Sequence, residues 1–166
     1  VQARGRLSLH LKDHAMYVRT GDFEDAQVRA LLGLHLAGMR AHSPACSVHA
    51  LDLSGLQHPA VSFFTVHEGQ ALLAMGALIE LDPYTGELKS MRTADAHLRK
   101  GAGAFLLTHL IETARARGYP RLSLETGSGP AFEPALALYR RFGFAQGAAY
   151  GEYAASDFNQ FFHLDL

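Results

Sequence analysis

Leu98-Arg99-Lys100-Gly101-Ala102-Gly103-Ala104 and, further along, Leu138-Tyr139-Arg140-Arg141-Phe142-Gly143-Phe144 are the stretches on which the reading of this chain turns. After the first, Phe105, Leu106, Leu110, Ile111 and Ala114 recur at a spacing that predicts a helix over Ala102 to Arg117, stopped by Gly118 and Pro120. A loop entering a helix in this way aims successive backbone N–H groups and the positive end of the helix dipole at one spot, where an anion binds. Glycines at 101 and 103 remove side chains that would hold a phosphate away from those N–H groups, while Arg99 and Lys100 add charge. The pattern suits a diphosphate. Taken alone, the same residues equally describe an ordinary solvated helix start.

Two phosphate motifs fail against this turn. A P-loop needs four residues between its glycines and then Lys-Ser or Lys-Thr, which is absent. The dinucleotide fingerprint gains Gly101, Gly103 and, on a following strand, Glu125. It loses its third glycine to Leu106, and Ala94 to Leu98 part the turn from the strand before it.

Outward from the turn, the rest of the chain punctuates itself. Downstream, Arg121 to Thr126 alternates as a strand, Pro134 to Phe142 reads as a helix ended by Gly143, and Phe161 to Leu166 as a closing strand. Upstream, Val61 to His67 and Ala71 to Leu81 read as a hairpin about Glu68-Gly69-Gln70, and Asp82 to Gly86 turns into a third strand, Glu87 to Thr93. His42 to Gly55 is a loop or a short helix. Phe23 to Met39 carries Val28, Leu31, Leu32, His35, Leu36 and Met39 on one helical face, with Asp22 as its N-cap. A strand starts at Tyr17. The order predicts an α/β (α+β) fold, with a mixed central sheet between helices.

Composition narrows the function. The chain has 166 residues, 48% hydrophobic and 19% charged, which suits one globular core and one active site. With 15 Lys plus Arg against 16 Asp plus Glu, no global field gathers nucleic acid or anionic lipid. Cys46 is the only cysteine, so neither an internal disulfide nor a cysteine zinc site forms; a reducing, cytoplasmic setting is expected. Arg4, Arg6, Lys12 and Asp13 interrupt any leader or membrane span in residues 1–15, which read as an extension ahead of a single domain, 16–166. His35, His42 and His49 recur every seven residues, too far apart to share one helix face as a metal pair, and no metal is expected.

Together, the glycine turn 98–104 and the segment 138–144 resemble the GNAT superfamily of acyl-CoA-dependent N-acetyltransferases. The likeness is firmest over Gly86 to Phe144 and agrees with the element order from Met16 onward. It implies an antiparallel N-terminal meander and central strands that splay, Lys89 to Thr93 away from Leu122 to Thr126. Acetyl-CoA would lie in the gap, its pantetheine arm along Met91, Arg92 and Thr93 as an added strand. Its pyrophosphate would sit on Leu98, Arg99, Lys100, Gly101, Ala102, Gly103 and Ala104, held by the N–H groups of 99–104. In the family the first position of this turn is usually Gln or Arg; here it is Leu98.

The same likeness implies acetyl transfer to a small-molecule amine or a protein amino group, and makes a homodimer plausible. Forming an amide from a thioester requires an uncharged amine and a proton for the departing thiolate. Tyr139 matches the family's acid position, a phenol that keeps its proton at neutral pH. For the base, Glu87 ranks first and Glu80 second, with Glu125 on a neighbouring strand and water as a possible relay. In the family the first helical region borders the acceptor, so His35, His42 and Ser43 are candidate substrate contacts, with Glu125. The competing reading is a sensor that holds acyl-CoA without turnover.

Overall fold

The computed structural model describes residues 15–166, so the segment read as an upstream extension lies, but for Ala15, outside the described residues. β1 (Met16–Thr20) leads into α1 (Ala26–His42), whose cap is Asp25, not Asp22. Two aspartates three residues apart compete for the position. Asp22 Oδ1 accepts the Glu24 N–H at 2.9 Å in a turn, and Asp25 Oδ1 takes the Gln27 N–H at 2.8 Å, starting the helix there.

The stretch 43–55 holds a 3-10 turn, Ala45–Ser47, and the start of a short helix, α2 (Leu53–Leu56), capped by Asp52. β2 (Val61–Glu68) and β3 (Ala71–Asp82) pair as expected around Gly69, whose φ of +58° suits glycine. β4 (Thr85–Thr93) begins two residues before its expected start, as Thr85 already pairs with Asp82. α3 (Ala102–Ala116), β5 (Arg121–Thr126) and α4 (Glu133–Arg141) follow; then a two-residue β6 (Ala145–Gln146) and β7 (Gln160–Asp165) close the sheet.

The seven strands of the described residues lie in the order β1-β2-β3-β4-β5-β7-β6. All neighbours are antiparallel except β4 and β5, which are parallel and joined through α3, the crossover a parallel pair requires. β4 and β5 pair only from Thr85 opposite Arg121 to Leu88 opposite Leu124. Beyond that point Lys89–Thr93 and Glu125–Thr126 have no partner across the seam among the described residues; the strands splay as the resemblance implied, but later on β5 than it placed the split, since Leu122 to Leu124 are still paired.

One face of the sheet buries Leu78, Leu88, Leu122 and Leu124 against Leu106, Leu110 and Leu136 of α3 and α4. The other buries Phe63, Leu72 and Met75 against Val28, Leu31 and Leu32 of α1 and Leu56 of α2. Strand alternation therefore turns Glu87 and Lys89, which flank Leu88, and Glu125, next to Leu124, toward the α1 side.

β4 carries a bulge. Met75 pairs with Arg92 and Ala77 with Lys89, leaving Ser90 and Met91 opposite Gly76, with Ser90 at φ +56°. A Cβ on Gly76 would stand 2.5 Å from the Met91 sulfur, with Leu106 and Leu110 methyls 3.1 and 3.4 Å away. Gly76→Ala should therefore overpack this spot and cost about 1–3 kcal/mol. Thermal unfolding checks this, at about 2–4 °C of Tm per kcal/mol; an unshifted Tm would mean that Met91 moves aside freely.

Candidate active site

The splay opens a cavity of about 520 Å³ between α1, the upper halves of β4 and β5, and α4. At its mouth lies the turn into α3. Arg99 (φ +62°) and Gly101 (φ +83°) are both left-handed, and no side chain caps the helix. Leu98 spends its N–H on the Asp95 carbonyl at 3.5 Å and Phe105 on the Gly101 carbonyl at 2.9 Å, but those of Arg99 to Ala104 between them have no acceptor among the described residues. Such a run of free N–H groups at a helix start is an anion nest. A non-glycine residue held left-handed within it is a cost retained at the site.

Of the predicted turn residues, Leu98 and Gly103 line the cavity, as do Met91, Arg92 and Thr93. Gly103 is tight: a Cβ there would stand 3.3 Å from Thr93 Oγ1 and 3.5 Å from Leu138 Cδ2. Ala102 buries its methyl in the core, so it offers only its backbone. Arg99 and Lys100 are exposed and do not line the cavity, and Lys100 Nζ lies 3.2 Å from His97 Nδ1.

Tyr139 lines the cavity from α4 and is otherwise buried, edge-on to Phe144 at 5.8 Å. Burial raises its pKa well above that of a free phenol, so the proton stays on. No group among the described residues hydrogen-bonds its hydroxyl.

The three carboxylates occupy different environments. Glu80 is exposed, opposite Gly86 near the far end of β3, and accepts the Tyr119 hydroxyl at 2.8 Å. Glu87 is buried and does not line the cavity: its Oε1 accepts the hydroxyls of Tyr150 (2.8 Å) and Tyr153 (2.5 Å) and lies 3.7 Å from Lys89 Nζ. Glu125, first past the split, is half-buried and lines the cavity. Burial pushes its pKa up to about 7, with Lys89 pulling down and Glu87 pushing up. Of the three, the structure brings only Glu125 to the cavity, with a pKa matched to proton removal near neutrality.

Tyr150 and Tyr153 carried no sequence signal. They lie in the segment between β6 and β7, and burial and the Glu87 charge hold both phenols protonated. Lys89 is fully engaged beside them, donating to the His49 carbonyl at 2.9 Å and standing 5.0 Å over the Tyr153 ring.

On the α1 wall, His35 lines the cavity and is buried; burial first, and the Arg92 charge second, take its pKa down to about 4, so it is neutral at physiological pH. His42 stands exposed at the rim and His49 beside Lys89, both lining the cavity. Ser43 does not line it, and its buried hydroxyl has no partner among the described residues. Ser90, at the bulge, lines the cavity with its hydroxyl likewise unpartnered. Among the described residues no group of three His, Cys, Asp or Glu is placed to hold a metal ion, and no helix is long and apolar enough to cross a membrane.

Known proteins share this architecture. Residues 29–144 match the family model of the acetyltransferase (GNAT) family. The chain is 47% identical over 138 residues to the uncharacterised N-acetyltransferase YsnE of Bacillus subtilis, spanning 83% of this chain and 91% of that one. A crystal structure of an acyl-CoA N-acyltransferase from Klebsiella pneumoniae superposes with a TM-score of 0.77 at 26% identity, over 93% of this chain and 99% of that one. A GNAT-family acetyltransferase from Elizabethkingia anophelis, solved with acetyl-CoA bound, has the same fold at 18% identity and a TM-score of 0.67, over 93% of this chain and all of the other. A left-handed N–H turn, a split parallel pair and a cavity between them thus occur in a chain that belongs to the acetyltransferase (GNAT) family.

Proposed function

We propose that this acetyltransferase uses acetyl-CoA to acetylate a primary amine, with Glu125 taking the proton from the amine and Tyr139 giving one to the departing sulfur. One observation carries the reading. The edge of β4 that faces β5, free beyond Leu88, runs from the free N–H groups of the turn into a cavity that both Glu125 and Tyr139 line.

The fit to acetyl-CoA rests on shape and donors. N–H groups of 99–104 suit a diphosphate, and the missing side chain at Gly103 leaves the passage between Thr93 and Leu138 clear. Past that passage, Lys89–Thr93 offers main-chain groups to the amides of a pantetheine arm, as an edge strand offers them to a peptide. When bound, acetyl-CoA supplies an acetyl group activated as a thioester.

The protein's own part is positioning and proton transfer. An amine arrives largely as ammonium and must lose a proton before its lone pair attacks. Glu125, ionised above about pH 7, accepts that proton directly or through one water. As the C–N bond forms and the C–S bond breaks, sulfur leaves with the electron pair, and the Tyr139 hydroxyl, with no competing partner among the described residues, holds a proton for it. Glu87 stays bound in its tyrosine and lysine contacts and acts on Glu125 through its charge.

The test is free-thiol release from acetyl-CoA across small amines, followed over pH. Acidification protonates Glu125, so kcat/KM should fall tenfold per pH unit below about 7. Glu125→Gln should lower kcat/KM by about 10²-fold or more and flatten that acid limb. A parental acid limb surviving in Glu125→Gln would take Glu125 out of the reaction; binding of acetyl-CoA with no release to any amine would leave a sensor.

A further inference from the structure

From the side chain of Arg92 we infer that the acceptor is a small amine that also carries an oxyanion, a carboxylate or a phosphonate, seated on the Arg92 guanidinium at the α1 wall. This rests on the acetyl-transfer reading and names the substrate class of the same cavity.

Arg92 was assigned to the pantetheine arm through its backbone, which leaves its side chain to be explained. On the strand it points to the opposite side from Met91, and its Nη1 lies 3.3 Å from where a Cβ of Gly38 would stand. Gly38 is inside α1, where glycine costs about 0.5–1 kcal/mol relative to alanine. The bare position is where the guanidinium fits against the helix.

The charge is only partly used. Arg92 Nη2 reaches Asp95 Oδ1 at 3.4 Å, a long contact to a carboxylate that is 71% exposed. Among the described residues Nε and Nη1 have no acceptor. The side chain is itself 71% buried, with 29% exposed. A guanidinium presents a planar fork that matches a carboxylate or phosphonate bidentately, and unspent donors inside a cavity are the part of the wall most demanding of a partner. The other cation in the cavity, Lys89, is already held by Glu87, the His49 carbonyl and the Tyr153 ring. His35, beside Arg92, is neutral and adds a hydrogen-bonding group without opposing charge.

Arg92 on β4 and Glu125 on β5 thus face one cavity from its two walls: one suits the acceptor's anion, the other its ammonium. Size follows from volume, since about 520 Å³ must hold the pantetheine arm and the acceptor together.

The experiment compares matched acceptors by thiol release: free amino acids against their amides, and aminoalkylphosphonates against neutral alkylamines of the same length, at equal concentrations of the ammonium form. At least one oxyanionic series should exceed its neutral partners in kcat/KM by about 10-fold or more, and the series that does so names the anion. Arg92→Gln should bring that ratio close to one by raising the acceptor KM, and Arg92→Lys should keep part of it. Calorimetry with acetyl-CoA on each variant separates acceptor from cofactor effects. Equal rates within both pairs, a ratio undiminished in Arg92→Gln, or a loss matched by weaker acetyl-CoA binding would each overturn the inference. So would acetyl-CoA binding without release to any oxyanionic amine, with the cofactor site left standing; failure of the parent to bind acetyl-CoA at all would instead sink the reading beneath it.

Discussion

Tyr139→Phe should lower turnover by about 10²-fold or more while acetyl-CoA affinity stays nearly unchanged. The substitution removes one hydroxyl and keeps the ring, so the edge-on contact with Phe144 survives. Because that hydroxyl has no partner among the described residues, its loss strands no donor or acceptor there, and the unfolding temperature should hold or rise. A general acid matters most when the leaving group is poor. The defect should therefore shrink with an acyl donor whose thiol is more acidic, a trend that a packing defect would not produce. Steady-state rates with both donors decide the matter: undiminished turnover with acetyl-CoA would return Tyr139 to the role of a core aromatic.

Gly103→Val should abolish useful acetyl-CoA binding in a protein that still folds. Gly103 lies in the first turn of α3 with ordinary helical geometry, so a side chain brings no backbone strain. Its Cβ alone would already touch Thr93 and Leu138, and the two further methyls of valine must enter the passage between β4 and α4. We expect affinity to fall by about two orders of magnitude, roughly 2.7 kcal/mol, read by calorimetry and by lost protection against heat unfolding. A folded variant that binds acetyl-CoA as tightly as the parent would put the diphosphate elsewhere.

Where structure depends on neighbours along the chain, the sequence was a good guide. α3, its glycine entry and the Gly118 stop are written in apolar spacing and two punctuating residues, and the β2–β3 hairpin in its glycine turn. Which carboxylate reaches the cavity was harder to read, for a geometric reason. Glu87 and Glu125 sit on parallel strands on the same side of the sheet, and what separates them is where pairing ends. Leu88 opposite Leu124 is the last pair, so Glu87 falls in the closed part of the seam and Glu125 just beyond it. The register of two strands joined through a whole helix is set by packing against α3, and no local pattern reports it. Tyr150 and Tyr153 were invisible for a similar reason: their segment reaches Glu87 by folding back over β4, more than sixty residues earlier in the chain. The α1 cap was missed because either aspartate satisfies the same rule.

The split seam has a consequence for how the protein keeps from sticking to itself. A strand edge with unpaired N–H and C=O groups is a template for any extended chain, and sheets normally shield such edges at their rims. Here the upper half of β4 is an edge in the middle of the sheet, walled by α1 on one side and α4 on the other. A β-strand brings a side chain toward one wall or the other at every residue, whereas a pantetheine arm carries methyl branches on a single carbon. The two helices that flank the gap thus also shield it from the self-association that a bare edge invites.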